Sequence, residues 1–195
     1  MLHLITPLYR YNNVETIYSS IIHQVKNFQW HLIEGSEKAS STTDISKILS
    51  DDRVFYYKIK TSYQWGHEQR NYFIKKIPSE ESDWCFFLDD DTVLTGDLVN
   101  SLLSPNSKNF DVIVFAQKKG MTEQVRLYGN SLELGTADIG SFLVKAKILK
   151  RLLIEPTQRN SDGHLAAALK SMSNIKIQYN TNKFTRYNAL SLSIN

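Results

Sequence analysis

The chain has 195 residues, 42% hydrophobic and 11% aromatic, with 23 Lys and Arg against 20 Asp and Glu for a formal charge of +3. This composition excludes wholesale disorder, and the near balance of charge argues against DNA or RNA as the main partner. A single cysteine, Cys85, rules out an intrachain disulfide framework and any zinc site built from several thiolates. No apolar run reaches the ~18 residues of a bilayer span, and the first run is too short for a signal peptide. The expectation is a soluble, cytoplasmic, single-domain protein.

Strand and helix signals alternate along the first half. Leu2–Thr6 is a short apolar run that reads as a buried strand stopped by Pro7. Val14, Ile17, Tyr18, Ile21, Ile22 and Val25 recur at helical spacing, and Asn12 with Glu15 resembles a capping box. Trp30–Ile33 predicts a second strand ended by Glu34-Gly35-Ser36, Val54–Ile59 a third, and Trp84–Leu88 a fourth, reached through a helix from Gly66 to Ile77. In the second half, Leu98, Val99, Leu102 and Leu103 mark a short helix broken at Pro105, and Asp111–Phe115 reads as a strong strand. Residues 122–146 look like two strands around a glycine-containing bend, with a helix near Ala146–Ile154. Asp162–Met172 is a helix capped by Asn160 or Ser161, and Ile175–Tyr179 a last strand. Such alternation implies a parallel α/β sheet, whose ligands bind beyond the carboxyl ends of the strands.

The segment Asp83-Trp84-Cys85-Phe86-Phe87-Leu88-Asp89-Asp90-Asp91-Thr92 carries the most chemistry. A buried strand that runs into three adjacent carboxylates needs a cation or open water at its end. A divalent metal on oxygen ligands points to Mg²⁺ or Mn²⁺ rather than zinc; a solvated acidic turn is the alternative. A haloacid-dehalogenase arrangement fits poorly, because Thr92 follows the aspartates too closely. His3, His23, His31 and His67 show no metal-ligand pairing and read as structural.

Several segments in order resemble the GT-A-fold glycosyltransferases that use nucleotide-diphosphate sugars, most closely the inverting β-1,3-glucuronosyltransferases. They are Ile5-Thr6-Pro7-Leu8-Tyr9, Asn27–Glu34 with Trp30, Gly66-His67-Glu68-Gln69-Arg70-Asn71, Phe87-Leu88-Asp89-Asp90-Asp91, Ala137-Asp138-Ile139-Gly140-Ser141-Phe142 and Ser161-Asp162-Gly163. The resemblance implies a Rossmann-like single domain, its mostly parallel central sheet flanked by helices. Residues 1–105 would form the nucleotide-sugar half and 106–195 the acceptor half. It also implies an inverting transferase that moves a sugar, with a UDP-sugar as the favoured donor and a carbohydrate hydroxyl as acceptor, aided by Mn²⁺ or Mg²⁺.

By that resemblance Thr6, Pro7, Tyr9, Glu34, Arg70, Asp89 and Asp90 contact the donor. Asp91, with Asp89, holds the metal, and Asp138, Gly140 and His164 meet the sugars. Asp162 deprotonates the acceptor. Each has a plainer reading: Tyr9 covering the sheet end, Arg70 pairing with neighbouring acids, Asp162 stabilising a helix dipole. Three departures stand out. Glu34-Gly35 replaces a Glu-Asp pair whose Asp faces uracil. Trp65 replaces an arginine, and Phe184-Thr185-Arg186 replaces His-Thr-Arg, with Arg186 as a possible substitute diphosphate ligand. A hexose or deoxyhexose donor therefore fits as well as a glucuronate. A nucleotidyltransferase would need a Gly-rich loop and a lysine that Thr6–Asn13 lacks. A sugar-nucleotide or glycan-binding module without transferase activity is the non-enzymatic alternative.

Overall fold

The computed structural model describes residues 1–35, 43–63, 65–77, 82–95, 98–157 and 161–190; Ser36 and Asn160, named above at element ends, lie outside them. The described strands are β1 (Leu2–Leu8), β2 (Phe28–Gly35), β3 (Val54–Ile59), β4 (Trp84–Phe87), β5 (Val112–Lys119), β6 (Val125–Leu127), β7 (Phe142–Lys145) and β8 (Ile177–Tyr187). They form one sheet in the order β3-β2-β1-β4-β7-β5-β6, with β8 also paired to β5. Strands β3, β2, β1 and β4 run parallel, while β7 is antiparallel to both β4 and β5. The helices are α1 (Val14–Ile22), α2 (Ser46–Leu49), α3 (His67–Lys76), α4 (Leu98–Leu102), α5 (Ala146–Leu149) and α6 (Ser161–Ser171).

The alternation of side chains along a strand divides the core into two layers. Leu2, Leu4 and Leu8 face one layer with Ile17 and Ile21 of α1 and Val99 of α4. Ile5 faces the other, with Phe73 of α3, Leu149 of α5 and Leu165 of α6. Helices therefore cover both faces, as the near-continuous apolar runs of parallel strands require.

The elements differ from the sequence expectation in a few places, each with a local cause. Pro7 does not stop β1: its partner across the sheet is Ile33, and the pairing of β1 with β4 has already ended at Ile5 and Phe87. A missing N–H is tolerated there because no donor is needed on that side. The expected capping box does not form. Residues Tyr11–Asn13 make a turn of 3₁₀ helix, and Asn13, which precedes α1, makes no side-chain cap. Its amide instead donates to the Asp90 carbonyl at 2.8 Å. Residues 122–146 do hold two strands, β6 and β7, and both pair with β5 rather than with each other. Strands β5 and β8 run on past their apolar stretches because each supplies the other's ladder through Lys119 and Tyr187.

Candidate active site

Strand β4 ends in Asp89-Asp90-Asp91, and the three carboxylates part company at once. Asp90 is 3% exposed and turns back under β1. Its Oδ2 accepts the backbone N–H groups of Tyr9 and Arg10, both at 2.7 Å, and its Oδ1 accepts Arg10 Nη1 at 2.5 Å. The middle aspartate thus ties down the loop that follows β1. Asp89 and Asp91 are left on the cleft side. Asp89 accepts Arg70 Nη2 at 2.5 Å, and Asp91 Oδ2 lies 3.0 Å from Arg10 Nη1. Burial and the neighbouring Asp89 charge push the Asp91 carboxyl up to about 6.

Helix α3 delivers Arg70. The residue before it, Gly66, has φ +76°, and a Cβ there would lie 2.8 Å from the Pro7 ring. Only glycine allows the helix start to press against the end of β1. Arg70 is 4% exposed and also donates from Nη1 to the Trp65 carbonyl at 2.9 Å. Across the cleft, the first turn of α6 presents Asp162. Its Oδ1 lies 3.5 Å from His67 Nδ1 and accepts no hydrogen bond among the described residues. Burial pushes its carboxyl up to about 6; Arg70 opposes the shift, while Asp89 and Asp138 add to it.

These groups line two adjoining lobes. The first, about 380 Å³, is bounded by Pro7, Tyr9, Arg10, Trp65, Arg70 and the three aspartates. The second, about 480 Å³, is bounded by Arg126, Leu134, Asp138 and Gly163 among others. Asp89, Asp162 and Tyr187 line both and mark their junction. A larger cavity of about 710 Å³ opens elsewhere, beside Leu2, Trp84, Pro105 and Lys145 near the starts of β1 and β4. It contains no carboxylate cluster, and in a parallel sheet the strand starts are the wrong end for the chemistry.

Of the residues nominated from sequence, Pro7, Tyr9, Arg70, Asp89, Asp90, Asp91, Asp138 and Asp162 come together in this cleft. Others lie outside both lobes. Thr6 is fully buried, donating to the Leu88 carbonyl at 2.7 Å and accepting Trp30 Nε1 at 2.9 Å. Its hydroxyl locks β1 to the end of β4. Glu34 is held by the hydroxyls of Tyr11 and Tyr56 and by Lys58 Nζ at 2.9 Å. Gly140 is buried beneath Asp138, to whose Oδ1 it donates at 2.9 Å. His164 is exposed on α6, because two residues along a helix is about 200° of rotation away from Asp162. Arg186 is engaged by the β5–β6 turn through the Thr122 carbonyl and Glu123, both at 2.8 Å, and does not reach the cleft. Sequence reasoning missed Arg10, Arg126 and Tyr187. Arg10 follows the nominated Tyr9, and Tyr187 follows Arg186, so position along the chain offered a hint for both. Nothing marked Arg126.

The donor set agrees with a cation shared with a substrate. Among the described residues no three His, Cys, Asp or Glu side chains converge to hold an ion on their own. Asp89, Asp90, Asp91 and Asp162 line the first lobe; Asp90 is committed to the loop after β1, and burial with the Asp89 charge disfavours the ionised form of Asp91 unless a cation is near. Mg²⁺ and similar ions are commonly held in this way, by one or two carboxylates completed by substrate phosphates and water.

No protein-family profile matches the sequence, and no curated protein does. Solved structures do match in three dimensions. S. aureus TarS residues 1–349 superposes with a TM-score of 0.68 at 15% identity, over 94% of this chain and 59% of that one. The same protein in complex with UDP gives 0.71 at 13% identity. The mannosyltransferase PcManGT from Pyrobaculum calidifontis, in complex with GDP-Man and Mn²⁺, gives 0.66 at 12% identity, over 98% of this chain and 58% of that one. The chain has the GT-A fold. It spans 59% of the length of the first two and 37% of a longer TarS structure. At such identities the likeness establishes the architecture, and the β-1,3-glucuronosyltransferase likeness of the motifs is not repeated among these neighbours. No described helix is long and apolar enough to cross a membrane.

Proposed function

We propose that the chain is a metal-dependent, inverting glycosyltransferase that moves a sugar from a nucleotide-diphosphate donor to a carbohydrate hydroxyl. The observation that carries this reading is the cleft itself. Asp89 and Asp91 at the end of β4 face Asp162 across a junction shared by two lobes, in a fold whose solved neighbours hold UDP, UDP-GlcNAc or GDP-Man. The nucleotide-sugar half is residues 1–105, and the acceptor half is 106–195. UDP-sugars are the first donors to test, and GDP-sugars the second.

Asp91, with Asp89, would hold Mn²⁺ or Mg²⁺, which supplies Lewis-acid charge for a leaving diphosphate. The protein's own residues do the rest. Tyr9 and Trp65 line the first lobe and offer aromatic faces to the base or sugar. Tyr9 is fixed by Gln69, whose Nε2 donates to its hydroxyl at 2.7 Å. Arg70 orients Asp89 and lies against the lobe that takes the phosphates. Arg10, braced by Asp90 and Asp91, contributes a second guanidinium on the same wall. Asp162, ionised above its pKa of about 6, takes the proton from the acceptor hydroxyl. A base with a pKa slightly below the working pH is both mostly ionised and adequately basic. Attack from the Asp162 side, opposite the diphosphate, converts an α-linked donor into a β-linked product.

The test is hydrolysis and transfer with a panel of nucleotide sugars, with Mn²⁺ and with EDTA. The reading expects metal-dependent release of UDP or GDP from at least one donor. Binding of a nucleotide sugar with no turnover under any condition would favour a glycan- or nucleotide-sugar-binding module instead. The coupling of the anomeric proton in the product reports inversion or retention.

A further inference from the structure

Among the described residues Arg126 is the only cation lining the second lobe, and the chemistry above leaves it unused. Its guanidinium is gripped from one corner. Nη1 donates to a carboxylate oxygen of Asp138 and to the side-chain oxygen of Gln117, while the guanidinium carbon sits 4.0 Å from the centre of the Tyr187 ring. Asp138 is braced in turn by Gly140 N–H at 2.9 Å and Gln117 Nε2 at 3.1 Å. Oδ2 of Asp138 is therefore committed to Arg126, and Oδ1 to Gln117 and the Gly140 N–H. Among the described residues Nε and Nη2 of Arg126 make no hydrogen bond. A planar donor edge whose orientation is set before the ligand arrives loses little entropy on binding.

The charge of the lobe limits what that edge can meet. Asp89, Asp138 and Asp162 line it; Arg70 pairs with Asp89 and Arg126 with Asp138, so the surplus negative charge is that of Asp162. An acceptor carboxylate or phosphate would enter a net negative pocket. Neutral hydroxyls can accept from the Arg126 edge and donate to Asp162 without that repulsion. Tyr187, at the junction of the lobes, carries Arg126 over its ring and adds aromatic lining beside it.

We propose that Arg126, fixed by Asp138, Gln117 and Tyr187, is a specificity-determining contact for the acceptor, and that the second lobe takes a neutral sugar ring rather than an acidic one. This rests on the transferase reading.

The experiment uses the donor found in the panel and measures the ratio of transfer to hydrolysis. The acceptors are neutral methyl glucoside, galactoside and N-acetylglucosaminide, and the matching uronides and 6-phosphates. The wild-type chain should favour neutral over anionic acceptors by at least about tenfold, and Arg126→Met should lower the ratio for neutral acceptors by about tenfold or more, with the loss falling on acceptor KM more than on donor KM. Arg126→Lys should restore the ratio only in part, since lysine replaces the charge without the planar edge. Arg126→Met leaves Asp138 buried without a cation, so the Arg126→Met/Asp138→Asn double variant is measured beside it, with a thermal melt of each. A folded double variant with the wild-type ratio, full rescue by lysine, or a wild-type preference for uronides or phosphates would each overturn the inference. Wild-type protein inactive on every donor would overturn the transferase reading itself, an outcome distinct from these.

Discussion

Asp162→Asn should make the apoprotein more stable and the enzyme far slower. Asp162 has a carboxyl pKa of about 6 in place of 3.8, because burial outweighs the attraction of Arg70. The folded chain therefore holds that proton more tightly than the unfolded chain. Between pH 3.8 and about 6 the folded state carries the extra proton, so stability falls as pH rises through that window. The loss is complete at neutral pH and amounts to at most about 3 kcal/mol, at about 1.4 kcal/mol per tenfold change in proton affinity. Asparagine keeps the shape and has no charge to bury. In EDTA at pH 7.5 the melting temperature should rise by roughly 2–10 °C, for a domain that gains about 2–4 °C per kcal/mol. Near pH 4 the gain should vanish, because Asp162 is then protonated in the folded wild type. Turnover should fall by roughly 10²–10⁴, since the amide cannot accept the acceptor's proton. Melts at the two pH values, paired with initial rates, check both halves. A variant equally destabilised at pH 4 and pH 7.5, or one with wild-type turnover, would refute the reasoning.

Other expectations follow from the same cleft. Turnover of wild type should drop as pH falls through about 6, where Asp162 takes up its proton; a flat profile down to pH 5 would argue for a different base. Calorimetric titration with UDP should show tight binding only with Mn²⁺ or Mg²⁺, because Asp89 and Asp91 repel a diphosphate until a cation intervenes, and equal affinity in EDTA would contradict the ion's role. Asp91→Ala should abolish metal-supported turnover without lowering the melting temperature of the apoprotein, since Asp91 is ionised against burial and a like charge. Gly66→Ala places a methyl group 2.8 Å from Pro7 at φ +76° and should destabilise by about 1–3 kcal/mol. Chemical denaturation measures it, and a neutral result would mean that the α3 start can shift freely.

The parallel half of the fold was legible because its physics is local. Val54–Ile59 and Gly66–Ile77 carry their own periodicity and punctuation, and the structure places β3 and α3 within a residue of them. Asp89–Asp91 was legible because an apolar strand ending in three acids leaves few physical options. What Asp90 does was not. The backbone N–H groups it accepts belong to Tyr9 and Arg10, about eighty positions earlier in the chain, and no local pattern encodes that meeting. The same limit hid Arg126, whose partners Gln117, Asp138 and Tyr187 come from three other segments. The two strands within 122–146 were legible, but their pairing was not, because each lies along β5 rather than beside the other. Thr6, beside Pro7 and Tyr9 in sequence, points into the sheet because consecutive strand residues face opposite sides.

Where a cation binds decides whether Asp89–Asp91 is a metal site. A crystal grown with Mn²⁺ and UDP, measured at a wavelength where manganese scatters anomalously, answers this in one map. The expected result is a single strong peak within coordination distance of Asp91, with Asp89 beside it and diphosphate oxygens completing the shell. A peak on other residues, or none at Asp89–Asp91 with UDP bound in the cleft, would contradict it.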